Sequence, residues 1–354
     1  MQPAQPFSAQ APDFSAIREA KCQDFLTQHG WGDVEHQLLV EEGSARKYYR
    51  LRKDDKTIVL LDSPNPKAPQ ERLENVVNYS KALNEIGLRV PRVEAYDLEN
   101  GFALVEDFGD ANVGNLFDAG LDKRDVLSDS LDALIHLHRN LDPNNVTALG
   151  NDLDYYLWEN PYFTDWYWPA RNHHETPPDV SAEYLALWNK LLTELPPLQK
   201  TMVMTDYHAP NIMLLEGTGI NRIGIIDIQD SLLGSPVYDV MSLLEDDRRN
   251  LSDDIGLMLR ERYRNAMKDM IDPELFDLHY AVYSAQRHAK NMGNFVRIAV
   301  QKNAPRWLDY VPVATHWFDR ALHSHPYLAP MQKWFAKHSP DYNDKLENVR
   351  FFLK

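Results

Sequence analysis

Met204-Thr205-Asp206-Tyr207-His208-Ala209-Pro210-Asn211, followed by Ile225-Ile226-Asp227-Ile228-Gln229-Asp230, sets an aspartate, an amide and a second aspartate behind a short apolar run. Phosphoryl transfer asks little covalent work of a protein. The γ-phosphate must be held in line with an attacking hydroxyl while Mg2+ neutralises charge on the phosphates, so positioned carboxylates and amides suffice. Asp206 is the candidate base for the hydroxyl proton. Asn211 and Asp227 are candidate metal ligands, since Mg2+ prefers oxygen and is usually held by one or two carboxylates plus phosphates. Short β-prone runs at 201–205, 212–215 and 222–226 put these groups at strand ends and in the loop between them. Asp206 and Asn211 alone would also suit an ordinary turn. Asp227, an acid closing an apolar strand, argues against that for the set. His208 either caps the loop or touches substrate.

Working outward, the chain reads as a small β-rich lobe followed by a larger, mainly helical one, an α+β fold. Residues 15–28 look helical, and 38–61 carry strand, turn, strand and strand signals with Lys53-Asp54-Asp55-Lys56 as a hairpin tip. A helix is expected over 69–86. Strands follow at 92–96 and 102–106, joined through Glu99-Asn100-Gly101. The expected division is a tail at 1–13, an N-lobe with the nucleotide-binding sheet at 14–106, and a C-lobe with catalytic loop, metal site and acceptor pocket at 107–354. Glu106 to Phe108 would form the hinge, whose backbone can read an adenine edge; an ordinary linker is compatible with the same residues. Residues 126–138 have helical apolar spacing, and 326–334 read as a closing helix.

An acceptor pocket is less sharply marked. The tract 155–168 is dense in aromatic rings flanked by hydrogen-bonding groups, which suits the C–H faces and hydroxyls of a sugar. Glu159, Trp166 and Tyr167 are its candidates, and core packing explains many of the rings equally well. Gln286 and Lys290 share one helical face with Arg287 alongside, so they either line the acceptor site or form a solvated face. His173-His174-Glu175 is not expected to bind metal, because adjacent histidines cannot share a helical face and Pro177-Pro178 marks a loop.

Composition narrows the class. The 354 residues are 44% hydrophobic, enough for two cored lobes. The charge balance, 37 − 53 = −16, opposes broad attraction to nucleic acid or anionic membrane. A single cysteine, Cys22, suits a reducing compartment, and the Pro/Gln/Ala-rich residues 1–12 read as a tail rather than a signal peptide. The absence of an apolar run of membrane-spanning length argues against a spanning segment. A cytoplasmic monomer acting on a small molecule is the expectation.

Several runs carry a family resemblance: 206–211; 226–230 with Gly234; Tyr238-Asp239-Val240-Met241-Ser242-Leu243-Leu244-Glu245-Asp246; Ser44-Ala45-Arg46-Lys47-Tyr48-Tyr49-Arg50-Leu51; Phe102 to Asp110; and Gln286 to Phe295. Together they resemble the aminoglycoside phosphotransferase family, and within it the bacterial anomeric kinases of N-acetylmuramate and N-acetylglucosamine. The resemblance runs from about 14 to 335. It implies a two-lobed protein-kinase-like fold, ATP and Mg2+ as cofactors, and transfer to the anomeric hydroxyl of an amino sugar in cell-wall sugar recycling. It also implies that Asp239 braces the catalytic loop. Another alcohol, such as an aminoglycoside or a choline-like acceptor, and a nucleotide-binding regulator without turnover remain alternatives.

Two departures stand out. Met204 and Thr205 replace the family's usual His and Arg, so the loop must be supported differently. The strand 57–61 lacks the usual phosphate-binding Lys. Arg46 and Lys47 are then the candidates to meet phosphate, with backbone N–H groups around Gly43 and Ser44 lying over it. By itself that segment would read as a hairpin turn.

Overall fold

The computed structural model describes residues 14–40, 46–64, 73–147, 149–249 and 251–346. Two compact units divide them, one within Met1–Lys81 and Pro91–Gly109 and the other within Ala82–Val90 and Asp110–Lys354. The segment 82–90 goes with the second unit because the Arg89 carbonyl accepts from the Ile225 N–H at 2.8 Å.

In the first unit, α1 (Phe14–Gln28) precedes β1 (His36–Val40), β2 (Lys47–Lys53) and β3 (Lys56–Asp62). Then come α2 (Leu73–Glu85), whose residues 82–85 belong to the second unit, β4 (Val93–Asp97) and β5 (Phe102–Glu106). The strands form one antiparallel sheet in the order β1-β2-β3-β5-β4. Successive side chains of a strand point to opposite faces, and both faces of β3 are covered. Ile58 and Leu60 pack with Phe25 and Leu26 of α1, while Val59 and Leu61 pack with Leu73 of α2. This explains why 58–61 is an unbroken apolar run with no place for a lysine.

Arg50 on β2 is a cation buried in this sheet. Arg50 donates from Nε to Asp107 Oδ2 at 2.7 Å and from Nη2 to Oδ1 at 2.9 Å, and the side chains are 5% and 4% exposed. Burial pushes the Asp107 carboxyl up, but Arg50, with the Gly109 N–H, outweighs it and holds the group below its ordinary value. A bidentate pair of this kind fixes the chain directly after β5 onto the sheet.

The second unit holds α3 (Val113–Asp118), α4 (Lys123–Asn140), β6 (Gly150–Asn151), α5 (Asp152–Glu159), a π-helical turn at Phe163–Tyr167, α6 (Trp168–Asn172) and α7 (Pro178–Thr193). After these come β7 (Thr201–Val203), β8 (Ile212–Leu214), β9 (Ile223–Ile225) and β10 (Leu232–Gly234). The chain closes with α8 (Val237–Leu244), α9 (Asp253–Ala266), α10 (Pro273–Gln301), α11 (Val311–Leu322) and α12 (Ala329–His338). Strands β8 and β9 form an antiparallel hairpin, and β10 lies between β6 and β7. Helix α10, 29 residues long, is the axis of this unit and is buried on nearly every side from Phe276 to Ala299. Its Gly293 is there because the chain leaves no room: a Cβ would lie 1.9 Å from the Tyr162 carbonyl oxygen.

Two stability outcomes follow. Gly293→Ala must displace backbone and is expected to cost about 2 kcal/mol or more in denaturant unfolding. Arg50→Met leaves a buried carboxylate unpaired and is expected to cost about 3 kcal/mol near neutral pH. Because the folded value of Asp107 is depressed, the pair's contribution is present above the ordinary aspartate range and is lost as pH falls through that folded value. The gap between wild type and Arg50→Met, measured by denaturation at several pH values, should therefore close on acidification.

Candidate active site

The loop after β7 is built on two buried supports. The Asp239 carboxylate of α8 accepts from the Met204 N–H at 2.7 Å and the Thr205 N–H at 3.0 Å. Arg287 of α10 donates from Nη1 to the Thr205 carbonyl at 2.9 Å and to the Tyr238 hydroxyl at 3.2 Å. They clamp an unfavourable backbone. Thr205 sits at φ +65, a left-handed conformation that costs a β-branched residue on the order of 1–2 kcal/mol. The kink turns Asp206 away from the strand, and Tyr207 anchors the other side by donating to the Ser130 carbonyl at 2.9 Å. Arg287 thus supports the loop from a helix 82 residues further along the chain.

The three oxygen-bearing residues converge. Asn211 Nδ2 donates to the Asp206 carbonyl at 3.0 Å and lies 3.5 Å from Asp227 Oδ2. The Ile226 N–H donates to the Asn211 carbonyl at 3.0 Å, tying the end of β9 to the loop. Asp227 is itself left-handed, at φ +63, and Gln229 Nε2 donates to its Oδ1 at 2.6 Å. Such backbone outliers persist where surrounding bonds over-determine them. An amide oxygen and a carboxylate are a hard donor set, which fits a Mg2+ ion that takes its remaining ligands from phosphate and water.

Electrostatics separate the acids. Asp206 is about half exposed and lies 3.3 Å from Arg287 Nη2. Burial alone would raise its carboxyl, but Arg287, with smaller contributions from His208, Lys290 and Arg248, holds it well below the usual carboxylate range. Asp239 is fully buried, and burial pushes its carboxyl up to about 7 against the downward pull of the two amide donors. His208 makes no side-chain cap. Its Nδ1 lies 3.4 Å from Arg248 Nη1, and burial pulls the ring down to about 4, so it is neutral.

The other sequence candidates fall in different places. Lys290 Nζ meets Glu159 Oε1 at 2.7 Å, with both side chains buried. Burial lowers Lys290, and Glu159 more than restores it. Gln286 donates to Asn160 Oδ1 at 3.1 Å, while its Oε1 and the Oε2 of Glu159 are buried without a hydrogen-bond partner. The charge of Lys290 reaches Asp206, so this group belongs to the same neighbourhood. Trp166 is half-buried on the π-helical turn. Tyr167 is fully buried, and its hydroxyl donates to the Tyr342 carbonyl, which commits it to the core. Arg46 is buried at the start of β2, Lys47 is exposed, and Glu106 and Phe108 are partly buried at the end of β5; Gly43 and Ser44 lie outside the described residues. Sequence reasoning missed Tyr207, Tyr238 and Gln229 as supports, because a phenol or amide that serves backbone groups has no distinguishing spacing.

Asp239→Ala would orphan two buried N–H donors. The expected outcome is a stability loss of about 2 kcal/mol or more, together with a fall in kcat as the kink at Thr205 relaxes. Thermal unfolding and steady-state rates on one preparation check both.

Among known proteins, the chain is 27% identical to an N-acetylmuramate/N-acetylglucosamine kinase of Caulobacter vibrioides over 92% of this chain and 98% of that one. It is 28% identical to the Pseudomonas aeruginosa protein of the same name over 88% and 92%. Solved structures share the protein-kinase-like α+β fold. ADP-bound aminoglycoside phosphotransferase APH(2'')-Ib superposes with TM-score 0.56 at 15% identity, covering 86% of this chain and 99% of that one. The choline kinase LicA from Streptococcus pneumoniae also superposes with TM-score 0.56, at 13% identity, covering 88% and 99%. The model of the phosphotransferase enzyme family matches residues 36–275, more than half of the sequence, and the chain belongs to that family.

Proposed function

We propose that this protein transfers the γ-phosphate of ATP to the anomeric hydroxyl of N-acetylmuramate, N-acetylglucosamine or both. The observation that carries phosphotransfer is the convergence of Asn211 on Asp206 and Asp227, with Arg287 beside Asp206. The acceptor rests on the names of the relatives that span nearly the whole chain. A small-molecule kinase of the cytoplasm, working in recycling of cell-wall sugars, is the corresponding cellular role.

In this reading the anomeric oxygen attacks the γ-phosphorus, the bond from that phosphorus to the β–γ bridging oxygen breaks, and ADP leaves. Asp206 accepts the hydroxyl proton. A carboxylate held strongly acidic is a weak base at the start of the reaction. It becomes a competent acceptor once P–O bond formation has acidified the hydroxyl, as a loose transition state requires. Until then Asp206 orients the hydroxyl as a hydrogen-bond acceptor, and Arg287 keeps it ionised and in place. Asn211 and Asp227 would hold Mg2+, whose role when bound is to neutralise charge building on the phosphate oxygens. Glu159 and Lys290, a buried ion pair, are assigned to the acceptor side, and Gln286, 0% exposed and bonded to Asn160, is given a supporting role behind them. Trp166 is kept as an acceptor contact, whereas Tyr167 is given a structural role. Arg46, Lys47, Glu106 and Phe108, with Gly43 and Ser44, are assigned to the nucleotide.

Phosphorus NMR of protein with Mg·ATP and each sugar should show a new phosphomonoester coupled to the anomeric proton. Asp206→Asn should lower turnover by about a thousandfold while ATP affinity stays within a few-fold. Asp227→Ala should weaken Mg·ATP binding by about tenfold or more in calorimetry. ATP binding with no product from either sugar would remove the acceptor assignment, and an Asp206→Asn enzyme of near-normal rate would remove the base.

A further inference from the structure

Behind Arg287, α10 carries a second buried charge cluster that the transfer reaction does not use. His288 is 0% exposed and meets a carboxylate at each ring nitrogen: Nδ1 lies 2.8 Å from Asp247 Oδ1, and Nε2 lies 2.9 Å from Glu245 Oε2. A neutral imidazole has one N–H and one lone pair, so it would turn that lone pair toward a buried carboxylate. Only the imidazolium donates to both. Asn291 donates to the other oxygen of Asp247 at 2.5 Å, and Ser284 donates to Glu245 at 2.5 Å. Trp317 of α11 stacks against the ring with centroids 6.3 Å apart.

The groups form an alternating series of charge. Glu245 is negative, His288 positive, Asp247 negative, Arg287 positive and Asp206 negative. The charge of Asp247 also pulls on Arg287, more weakly than that of Asp206, which lies 3.3 Å from the guanidinium. Asp247 is held by His288 on one side and Asn291 on the other, which leaves Arg287 to Thr205 and Asp206. On the far side of Glu245 a cavity of about 50 Å³ is lined by Tyr280, Arg260 of α9 and Arg320 of α11 as well as by Glu245 and Ser284.

We propose that His288 is a positioning residue for the phosphotransfer reaction: its imidazolium neutralises Asp247 and so keeps Arg287 on Asp206. This inference rests on Asp206 being the base. The two carboxylates also raise His288 to about 9 against the opposing effect of burial. The charge that holds Asp247 is therefore present at neutral pH and is lost as pH rises through about 9, and kcat should decline there. The groups around the ring are Glu245, Asp247, Ser284, Asn291 and Trp317, with Arg287 beside it on α10.

The test is a charge-cancelling pair of substitutions, with kcat and the KM for ATP followed from pH 6 to 10. His288→Gln leaves Asp247 to compete for Arg287, and kcat should fall by about tenfold or more with the KM for ATP nearly unchanged. Adding Asp247→Asn removes the competitor, so the double variant should recover to within about threefold of wild type and lose the decline near pH 9. A merely structural histidine would instead give losses that add. A double variant that is unfolded, stays down by tenfold or keeps the alkaline decline contradicts the proposal. If His288→Gln alone does not fold, the double variant decides the matter. Asp206→Asn, run beside them, separates the two readings: near-normal activity there would retire the base assignment and the positioning role with it, whereas an inactive Asp206→Asn beside an unrecovered double variant would retire the positioning role alone.

Discussion

One guanidinium holds the candidate site together. Arg287 donates to the Thr205 carbonyl and the Tyr238 hydroxyl and lies against Asp206. A buried arginine is tolerable only if its donors are satisfied and its charge is met, and these contacts do both. The same contacts stabilise the kink at Thr205, aim Asp206 out of the loop and keep it ionised. Asp239 complements this from the other side by taking up the two N–H groups that the kink exposes. Because both supports lie on helices packed in the core, the loop inherits their rigidity.

Much of the site was legible because its chemistry constrains residue type. An acid, an amide and a second acid must be oxygen donors, so Asp206, Asn211 and Asp227 could be named from spacing, and the structure brings Asn211 to the Asp206 carbonyl and to the Asp227 side chain. The supports were less legible. The sequence offered Arg287 for the acceptor or for solvent, because helical spacing says which residues share a face and not what that face meets. In α10 no face is solvated around Gln286 to Asn291, so the choice between acceptor and solvent missed a third possibility, the catalytic loop. His288, between two carboxylates brought from the end of α8, carries no local signal at all.

The fold shows the same division. The β2–β3 and β4–β5 hairpins of the first unit followed from turn chemistry, with Asp54 at φ 52 and Gly101 at φ 76 where the turns were expected. The apolar run in β3 matched a strand buried on two faces. Within the aromatic tract, Phe163–Tyr167 is a π-helical turn. A π turn rotates the following side chains away from the positions that ordinary helical spacing gives them, and Tyr167 ends inside the core beside Phe163, with ring centroids 5.3 Å apart. Trp158, by contrast, is the exposed ring of the tract, at 58%.

The central claim is that Arg287 sets the ionisation of Asp206, and the pH dependence of kcat in Arg287→Met against wild type tests it most directly. Without the guanidinium, only the smaller pull of His208, Lys290 and Arg248 opposes burial, and the carboxyl rises. The account expects an acid decline of kcat displaced upward by about one pH unit or more relative to wild type, and partly restored in Arg287→Lys. Superimposable acid limbs in the three proteins, at whatever overall rate, would contradict it.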